Sequence, residues 1–219
     1  MKPKIVALGD SAILIHLGDE IDLATNQQVH ALADQIEMSS INGIIEAVPA
    51  YATLLVHYDP LILSFTQIKD HLRAKLSQAE ETISRQPRRV EIPVRYGGEH
   101  GIDLEAVASH LHLGVEEVIR IHSEKIYTVF MMGFAPGYPY MGKLADALVL
   151  PRLETPRARV PAGTVAIAGS QTGIYSVESP GGWNLIGWTP LKLFDPKSDS
   201  PFLFAPGDEV KFVPVPSAV

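Results

Sequence analysis

The sequence contains no cysteine among its 219 residues. This absence excludes disulfide bonds, thiolate metal sites and a cysteine nucleophile. Basic residues are in deficit as well, with 18 Lys and Arg against 25 Asp and Glu and a formal net charge of −7. Because nucleic acid is bound mostly through Lys and Arg on its phosphates, this balance argues against a nucleic-acid partner.

Long hydrophobic runs are also missing. No apolar stretch approaches the roughly 18 residues that a membrane span needs, and the N-terminal "MKPKIVALGD" becomes acidic too soon for a signal peptide. Hydrophobic residues make up 46% of the chain and charged residues 20%, which is typical of a globular protein. We therefore expect a cytoplasmic protein with no membrane partner.

Glycine and proline are scarce at the start of the chain and frequent afterwards. Residues 1–85 hold 3 of the 17 Gly and 3 of the 17 Pro, whereas residues 86–219 hold 14 of each. The stretch "SRQPRRVEIP" lies at this change. The composition thus predicts two domains, residues 1–85 and residues 86–219.

The first half alternates strand-like and helix-like patterns. "DLATNQQVHALADQIEM" predicts a helix capped by Asp22. "SFTQIKDHLRAKLSQAE" predicts a second helix, which begins with a capping box of Ser64 and Gln67. The predicted strands are "SAILIHLG", "GIIEAVPA", "ATLLVHYD" and "RVEIPV". Together these segments give the order β-α-β-β-α-β, which is the ferredoxin-like pattern.

The second half predicts a helical pair followed by an all-β barrel or sandwich. "DLEAVASHLHLGVEEVIRIHSE" indicates two short helices broken at Gly114. The strand candidates after it are short and separated by Gly and Pro, as in barrels and sandwiches. They are "YTVFMMGF", "GTVAIAG", "GIYSVES", "WNLIGWTP", "LKLFD" and "DEVKFVPV".

Two stretches imitate familiar binding motifs. "GYPYMGKL" contains the G-x-x-x-x-G-K of a phosphate-binding loop, but Leu144 follows Lys143 where a hydroxyl would ligate magnesium, and Pro139 has no N–H to donate. The helical pair imitates a helix-turn-helix, but Glu116 and Glu117 would repel phosphate at the start of its second helix. We therefore predict neither a phosphate loop nor DNA binding.

Polar residues and glycines are most concentrated between residues 154 and 190. Turns explain the glycines, but polar and aromatic neighbours at one barrel end are typical of a binding pocket. Arg157 and Arg159 are either a fixed positive charge for a carboxylate or phosphate, or solvated surface residues. The eight histidines show no metal-ligand spacing, so no metal site is expected.

Three long motifs and the N-terminal "LGDSAILIHLG" resemble those of a known family. The motifs are "GFAPGYPYMG", "TPRARVPAGTVAIAGSQTGIYSVESPGGWNLIGWTPLKLFDP" and "PFLFAPGDEVKFVP". The family is that of the B subunit of 5-oxoprolinase, also called allophanate hydrolase subunit 1 or KipI-like. The resemblance implies an α+β fold with a ferredoxin-like N-terminal domain and a cyclophilin-like β-barrel.

The motifs of this family fall on residues that suggest a site. For the catalytic residues, the hypotheses are that His122 moves protons near neutral pH, Arg157 balances a carboxylate or phosphate, and Gln171 hydrogen-bonds the amide. Trp188 stands where the family has a polar residue, which bears on substrate preference if Trp188 faces the pocket. The expected substrate-binding residues are Phe134, Pro136, Gly137, Tyr138, Tyr140, Thr172, Tyr175, Ser179, Gly181, Gly182 and Trp183.

The resemblance implies three alternative functions. The first is the B subunit of an ATP-dependent 5-oxoprolinase that opens 5-oxo-L-proline to L-glutamate together with A-like and C-like partner proteins. Because no ATP motif is present, we expect ATP to bind mainly on a partner and the single chain to be weakly active or inactive. The second is a KipI-like inhibitor of a sporulation histidine kinase, and the third is an allophanate hydrolase or urea carboxylase-type subunit. The sequence leaves all three open.

Overall fold

The computed structural model describes residues 3–78 and 87–216. The chain forms two compact units, Met1–Gln86 and Pro87–Val219. The boundary predicted at residue 85 lies outside the described residues and stays a prediction. Within the described ranges, no helix is both long enough and apolar enough to cross a membrane.

The first unit contains a four-stranded antiparallel sheet. Its strands are β1 (Lys4–Ala7), β2 (Ala12–His16), β3 (Ile44–Pro49) and β4 (Thr53–Tyr58), in the spatial order β1-β2-β4-β3. Alternate residues of the two central strands, among them Ile13, Ile15, Leu54 and Val56, are fully buried in one core with the helices. This period of two is what a half-buried sheet requires.

Two helices cover that sheet, and both begin where the sequence predicts. In α1 (Leu23–Met38) the backbone N–H of Thr25 donates to Asp22 Oδ2 at 2.8 Å. In α2 (Phe65–Gln78) Ser64 N–H donates to Gln67 Oε1 at 2.9 Å, and Gln67 N–H donates back to Ser64 Oγ at 3.3 Å. The predicted cap and capping box are thus confirmed, whereas the predicted end of α2 at residue 80 lies outside the described residues.

The strand predicted to complete the first-half pattern lies elsewhere. "RVEIPV" belongs to β5 (Arg89–Tyr96), which pairs within the barrel of the second unit, so this part of the prediction is wrong. The fourth strand of the first sheet is instead β1, which lies in the N-terminal "MKPKIVALGD", a stretch with a strand-like pattern that the predicted order leaves out. Three of its four residues are exposed, so it lacks the alternate buried positions of the two central strands.

The second unit begins with β5 and the predicted helical pair. Helices α3 (Leu104–His110) and α4 (Val115–Glu124) are separated at Gly114, which confirms the predicted break. After them come β6 (Ile126–Met132), β7 (Pro139–Gly142), β8 (Arg157–Val160), β9 (Thr164–Ala168), β10 (Gln171–Ile174), β11 (Ser179–Gly181), β12 (Asn184–Trp188) and β13 (Glu209–Pro214).

Seven of these strands close into a barrel in the order β10-β7-β6-β13-β5-β12-β9. Closure depends on β13, which lies between β6 and β5 and runs parallel to β5 with Glu209 opposite Arg89. Strands β8 and β11 form a separate two-stranded ribbon. The mixed α+β fold with a β-barrel is thus confirmed.

Two predicted segments differ from their expected form. "LKLFD" contributes only an isolated bridge between Phe194 and Phe202 instead of a strand. "GYPYMGKL" contains strand β7, and the helical turn that follows it is the 3₁₀ segment Asp146–Leu148, three residues long. A phosphate loop would open a long helix, so this geometry agrees with the exclusion of that motif.

Strand β9 is buried on both faces. Val165 and Ile167 pack into the barrel interior, whereas Ala166 and Ala168 pack into a second cluster on the outer face. We call this second group the aromatic cluster; it contains Tyr138, Val160, Ala166, Ala168, Tyr175, Trp183 and Leu185, with Tyr140 packed against it. The barrel wall formed by β9 and β10 therefore separates two distinct environments.

Candidate functional site

His122, near the end of α4, lies at the centre of a hydrogen-bond network inside the barrel. Its Nδ1 is 2.7 Å from Tyr96 Oη, and its Nε2 is 2.9 Å from Thr172 Oγ1. The imidazole stacks on Phe212 with ring centroids 4.6 Å apart. Tyr127 Oη donates to the His122 carbonyl oxygen at 3.0 Å. His122 and Thr172, two of the predicted site residues, are thus brought together.

The network assigns the tautomer of His122. Thr172 Oγ1 donates to the Ala166 carbonyl oxygen at 3.2 Å, so it accepts from Nε2–H. Nδ1 then accepts from Tyr96 Oη–H, and burial, which raises the pKa of Tyr96, keeps that phenol protonated. The chain of donors therefore runs from Tyr96 through His122 and Thr172 to Ala166.

Burial also decides the charge of His122. The side chain is fully buried, and desolvation lowers its pKa to about 3. His122 is therefore neutral at pH 7, with both ring nitrogens engaged. A proton-transfer role for His122 stays a prediction, and this environment favours a positioning role instead.

Aromatic rings gather on the outer face of the barrel. Neighbouring centroids lie between 5.0 and 6.5 Å apart, mostly edge to face. Phe134 is 62% exposed, whereas only 2% of Tyr138 is exposed. The rings are those of Phe134, Tyr138, Tyr140, Tyr175 and Trp183. Five of the predicted substrate-binding residues thus form one group.

Two glycines leave room for the phenols of this group. A Cβ on Gly173 would lie 2.6 Å from Tyr138 Oη, and a Cβ on Gly181 would overlap the Tyr175 hydroxyl. The backbone N–H of Trp183 donates to that same hydroxyl. The glycines of β10 and β11 are therefore required by ring packing, which turn geometry alone does not explain.

Arg157 is held by a carboxylate of the protein. Its Nη2 lies 2.6 Å from Asp103 Oδ1, and Asp103 Oδ2 accepts from the Leu185 N–H at 2.7 Å. Arg159, its neighbour on β8, pairs with Glu178 at 2.6 Å. Arg157 thus fastens the ribbon to β12 and to the start of α3, and its charge is already compensated.

Arg152 is the cation that lies next to the rings. Its Cζ is 5.9 Å from the centroid of Trp183. Burial raises the pKa of Tyr140 and of Tyr175, and the charge of Arg152 partly offsets both shifts. The side chain is exposed, and it forms no ion pair with any residue in the described ranges. Arg152 therefore adds an uncompensated positive charge to the aromatic cluster.

The remaining predicted residues frame the outer face. Strand alternation puts Gln171 on the face of Gly173, opposite to Thr172. Pro136, in the turn before β7, accepts from Ser176 Oγ at 2.6 Å, and Gly137 follows it with φ of +74°. Ser179 and Gly181 lie on β11, which Gly182 follows.

Trp188 lies apart from the aromatic cluster. It stacks on His100 with centroids 5.0 Å apart, and its Nε1 donates to Ala162 O at 2.9 Å. The presence of Trp188 where the family has a polar residue is therefore unconnected with the rings of the outer face. Among the residues that the structure describes, no group of three or more His, Asp and Glu is placed to hold a metal ion.

Three residues that matter here carry little or no signal in the sequence. Tyr96 and Asp103 lie 26 and 54 residues from His122 and Arg157, so no local spacing connects them. Arg152 has a signal, because "PRLETPR" contains the Pro-Arg pair twice, but only the second pair falls on a family motif.

The chain is similar to several known proteins. The model of the family described as "Carboxyltransferase domain, subdomain C and D" matches residues 3–204. The B subunit of 5-oxoprolinase from Bacillus subtilis (strain 168) is 46% identical over 220 residues, which cover 96% of this chain and 92% of that protein.

Solved structures show the same fold. The crystal structure of TTHA0988 in space group P212121 is 40% identical, with a TM-score of 0.83 over 94% of this chain and 40% of that one. This chain therefore spans about two fifths of the TTHA0988 chain. The Kluyveromyces lactis urea carboxylase is 20% identical, with a TM-score of 0.81 over 97% of this chain and 22% of that chain, and its likeness shows the fold alone.

Proposed function

The chain belongs to the family of the carboxyltransferase domain, subdomains C and D, and we propose that it is the B subunit of an ATP-dependent 5-oxoprolinase. The observation that supports this proposal is the similarity to the B subunit of 5-oxoprolinase from Bacillus subtilis, which is 46% identical across 96% of this chain. A cytoplasmic location, a ferredoxin-like first unit and a cyclophilin-like barrel belong to the same proposal. The likeness to the urea carboxylase concerns the fold and gives the urea-type function no comparable support.

The reaction explains why such a hydrolase uses ATP. A lactam carbonyl is a poor electrophile, and transfer of the γ-phosphoryl group to its oxygen releases ADP and converts that oxygen into a leaving group. Water then adds to the carbon, the C–N bond breaks, and the nitrogen takes up a proton. The resulting acyl phosphate is hydrolysed by a second water to L-glutamate and phosphate.

We place the substrate at the aromatic cluster on the outer face of the barrel. Tyr140 at the edge of this cluster is half-buried and the neighbouring Phe134 is exposed, whereas His122 is fully buried. The phenol groups of Tyr140 and Tyr175, whose pKa values burial raises further, are suited to donate hydrogen bonds to a carbonyl oxygen. Gln171 is the candidate for a further hydrogen bond to the amide, and Arg157 holds the ribbon in place through Asp103.

We assign ATP mainly to partner proteins. The sequence has no phosphate-binding motif, and Lys143 follows strand β7 instead of closing a phosphate loop. The partners in this proposal are the A-like and C-like proteins of the same enzyme. The single chain should accordingly show little or no turnover.

Co-expression with the products of neighbouring genes tests the proposal. The assembled complex should release ADP and L-glutamate in a manner that depends on 5-oxo-L-proline, and omission of this chain should abolish both. A complete complex that ignores 5-oxo-L-proline but turns over urea or allophanate would refute the proposal and favour the urea-type function.

A further inference from the structure

We propose that Arg152 recognises the carboxylate of a small cyclic amide whose ring packs against Trp183 and Tyr140. The inference rests on the proposed function and names the residue that selects the substrate at the same site. It is carried by an unpaired cation, an aromatic surface and a buried hydroxyl that lacks a partner.

The unpaired cation is unusual within its unit. Of the seven arginines in residues 87–216, five hold a carboxylate of the protein: Arg88, Arg89, Arg120, Arg157 and Arg159. Arg95 lies over Trp188 instead. Arg152 is left with the face of Trp183 as its described contact, so its guanidinium N–H groups remain available for an external anion.

The position of Arg152 over an indole ring suits carboxylate binding. A guanidinium on an aromatic face is held in orientation by the ring while its edge still presents two parallel N–H donors. A carboxylate accepts both donors, and such bidentate pairs are stronger than ordinary hydrogen bonds. Arg152 is therefore oriented for a planar anion beside an apolar surface.

The apolar surface beside Arg152 is formed by Tyr140, which is half-buried, and by the edge of Trp183, which is 5% exposed. Tyr140 and Trp183 lie with centroids 6.3 Å apart, and Tyr138 contacts both of them. Tyr175 Oη accepts from the backbone N–H of Trp183, which leaves its own O–H as a donor. A small ring with one carboxylate and one carbonyl matches this combination of faces, donor and cation.

The hydroxyl of Ser179 belongs to the ribbon that covers the same aromatic cluster. It is buried and has no hydrogen-bond partner among the residues that the structure describes. Ser179 pairs with Val160, whose side chain packs into the aromatic cluster, so both side chains lie on the face of the ribbon that covers the rings. Because an unpaired buried hydroxyl is costly, a polar group of a ligand there would be favourable.

Ligand titrations of the full chain test the inference. A Trp188→Phe background leaves Trp183 as the only tryptophan, since the sequence has two. The three probes are 5-oxo-L-proline, 2-pyrrolidinone, which is the lactam without the carboxylate, and inorganic phosphate. We expect saturable quenching by 5-oxo-L-proline, with binding of the other two about 10- to 100-fold weaker.

Variants of two arginines identify the residue. Arg152→Gln should weaken 5-oxo-L-proline binding to the level of 2-pyrrolidinone, and Arg152→Lys should restore part of the loss. Arg159→Gln is the matched control, because Arg159 is an exposed arginine already paired with Glu178. In the complex with native Trp188, Arg152→Gln should raise KM about 10- to 100-fold with a smaller effect on kcat.

Three results would overturn the assignment. They are unchanged affinity in Arg152→Gln, phosphate binding as tight as that of 5-oxo-L-proline, and no saturable binding by the parent chain. The proposed function fails separately, when the complete complex does not turn over 5-oxo-L-proline. Binding that depends on Arg152 without turnover would leave the inference standing and refute the function.

Discussion

The buried His122 predicts that the second unit loses stability in acid. Its pKa is about 3 in the folded protein because of desolvation, whereas an unfolded histidine titrates near ~6.5. Above that value both states are neutral and the full stability is present. As the pH falls below ~6.5, the histidine becomes protonated in the unfolded state, whereas in the folded state it stays neutral until the pH approaches its folded pKa. Stability is therefore lost over this range.

The magnitude follows from the two pKa values. At pH 5 the unfolded histidine is charged and the folded one is not, so His122 alone should remove about 2 kcal/mol of unfolding free energy relative to pH 8. The limiting loss in stronger acid is about 5 kcal/mol. These figures hold because the imidazole is fully buried.

Urea unfolding at pH 8 and pH 5 measures this loss. Both tryptophans, Trp183 and Trp188, lie in the second unit, so their fluorescence reports on that unit. His122→Gln lowers stability at both pH values but should remove about 2 kcal/mol of the difference between them. All other titrating groups remain in the variant, so their contributions cancel in the comparison.

The exposed His110 provides the control. His110→Gln should leave the difference between pH 8 and pH 5 unchanged to within about 0.5 kcal/mol. The reasoning is refuted if the parent protein and His122→Gln lose the same free energy on acidification, because His122 would then not be held neutral by the barrel.

Three further predictions concern residues of the second unit. Tyr138→Ala should lower the stability measured by thermal unfolding by roughly 3 kcal/mol or more, because the ring is 2% exposed. Tyr140→Ala should cost much less stability and should instead reduce the activity or the assembly of the complex. Equal destabilisation by the two variants would mean that both rings only fill the core. Lys143→Ala should leave activity within a few-fold, and a loss of about a thousandfold would restore the phosphate-loop interpretation. Gly181→Ala should destabilise the protein by about 1–3 kcal/mol, because the added Cβ would meet the phenol of Tyr175. Gly182→Ala is the control in the same melting assay and should be tolerated, because its added Cβ would lie 3.5 Å from its nearest neighbour, Pro156 Cγ.

Local features of the fold could be predicted from the sequence, and non-local pairing could not. The cap at Asp22 and the capping box at Ser64 each involve residues only three positions apart, so the sequence predicts where both helices begin. The place of β5 depends on β12 and β13, which lie about a hundred residues further along the chain. Nothing in "RVEIPV" itself indicates those partners.

The sequence predicts a set of candidate site residues, but it does not predict how they are arranged in space. Thr172 and Gly173 are adjacent in one motif, yet strand alternation sends them to opposite faces of the barrel wall. A motif read along the chain therefore merges the buried His122 network with the outer aromatic cluster. The charge of Arg157 also looked available, because its partner Asp103 lies 54 residues away.

The position of β13 between β5 and β6 has a consequence for synthesis on the ribosome. The two strands that it joins carry unpaired edges until residues 209–214 have emerged, 120 residues after β5 begins. The sheet of the first unit is complete at residue 58, long before then. The nascent second unit thus presents open strand edges, which are templates for aggregation, until almost its whole length has been made. A stop codon before Glu209 would leave those edges open permanently, so such truncated products should aggregate or be degraded instead of accumulating as folded protein.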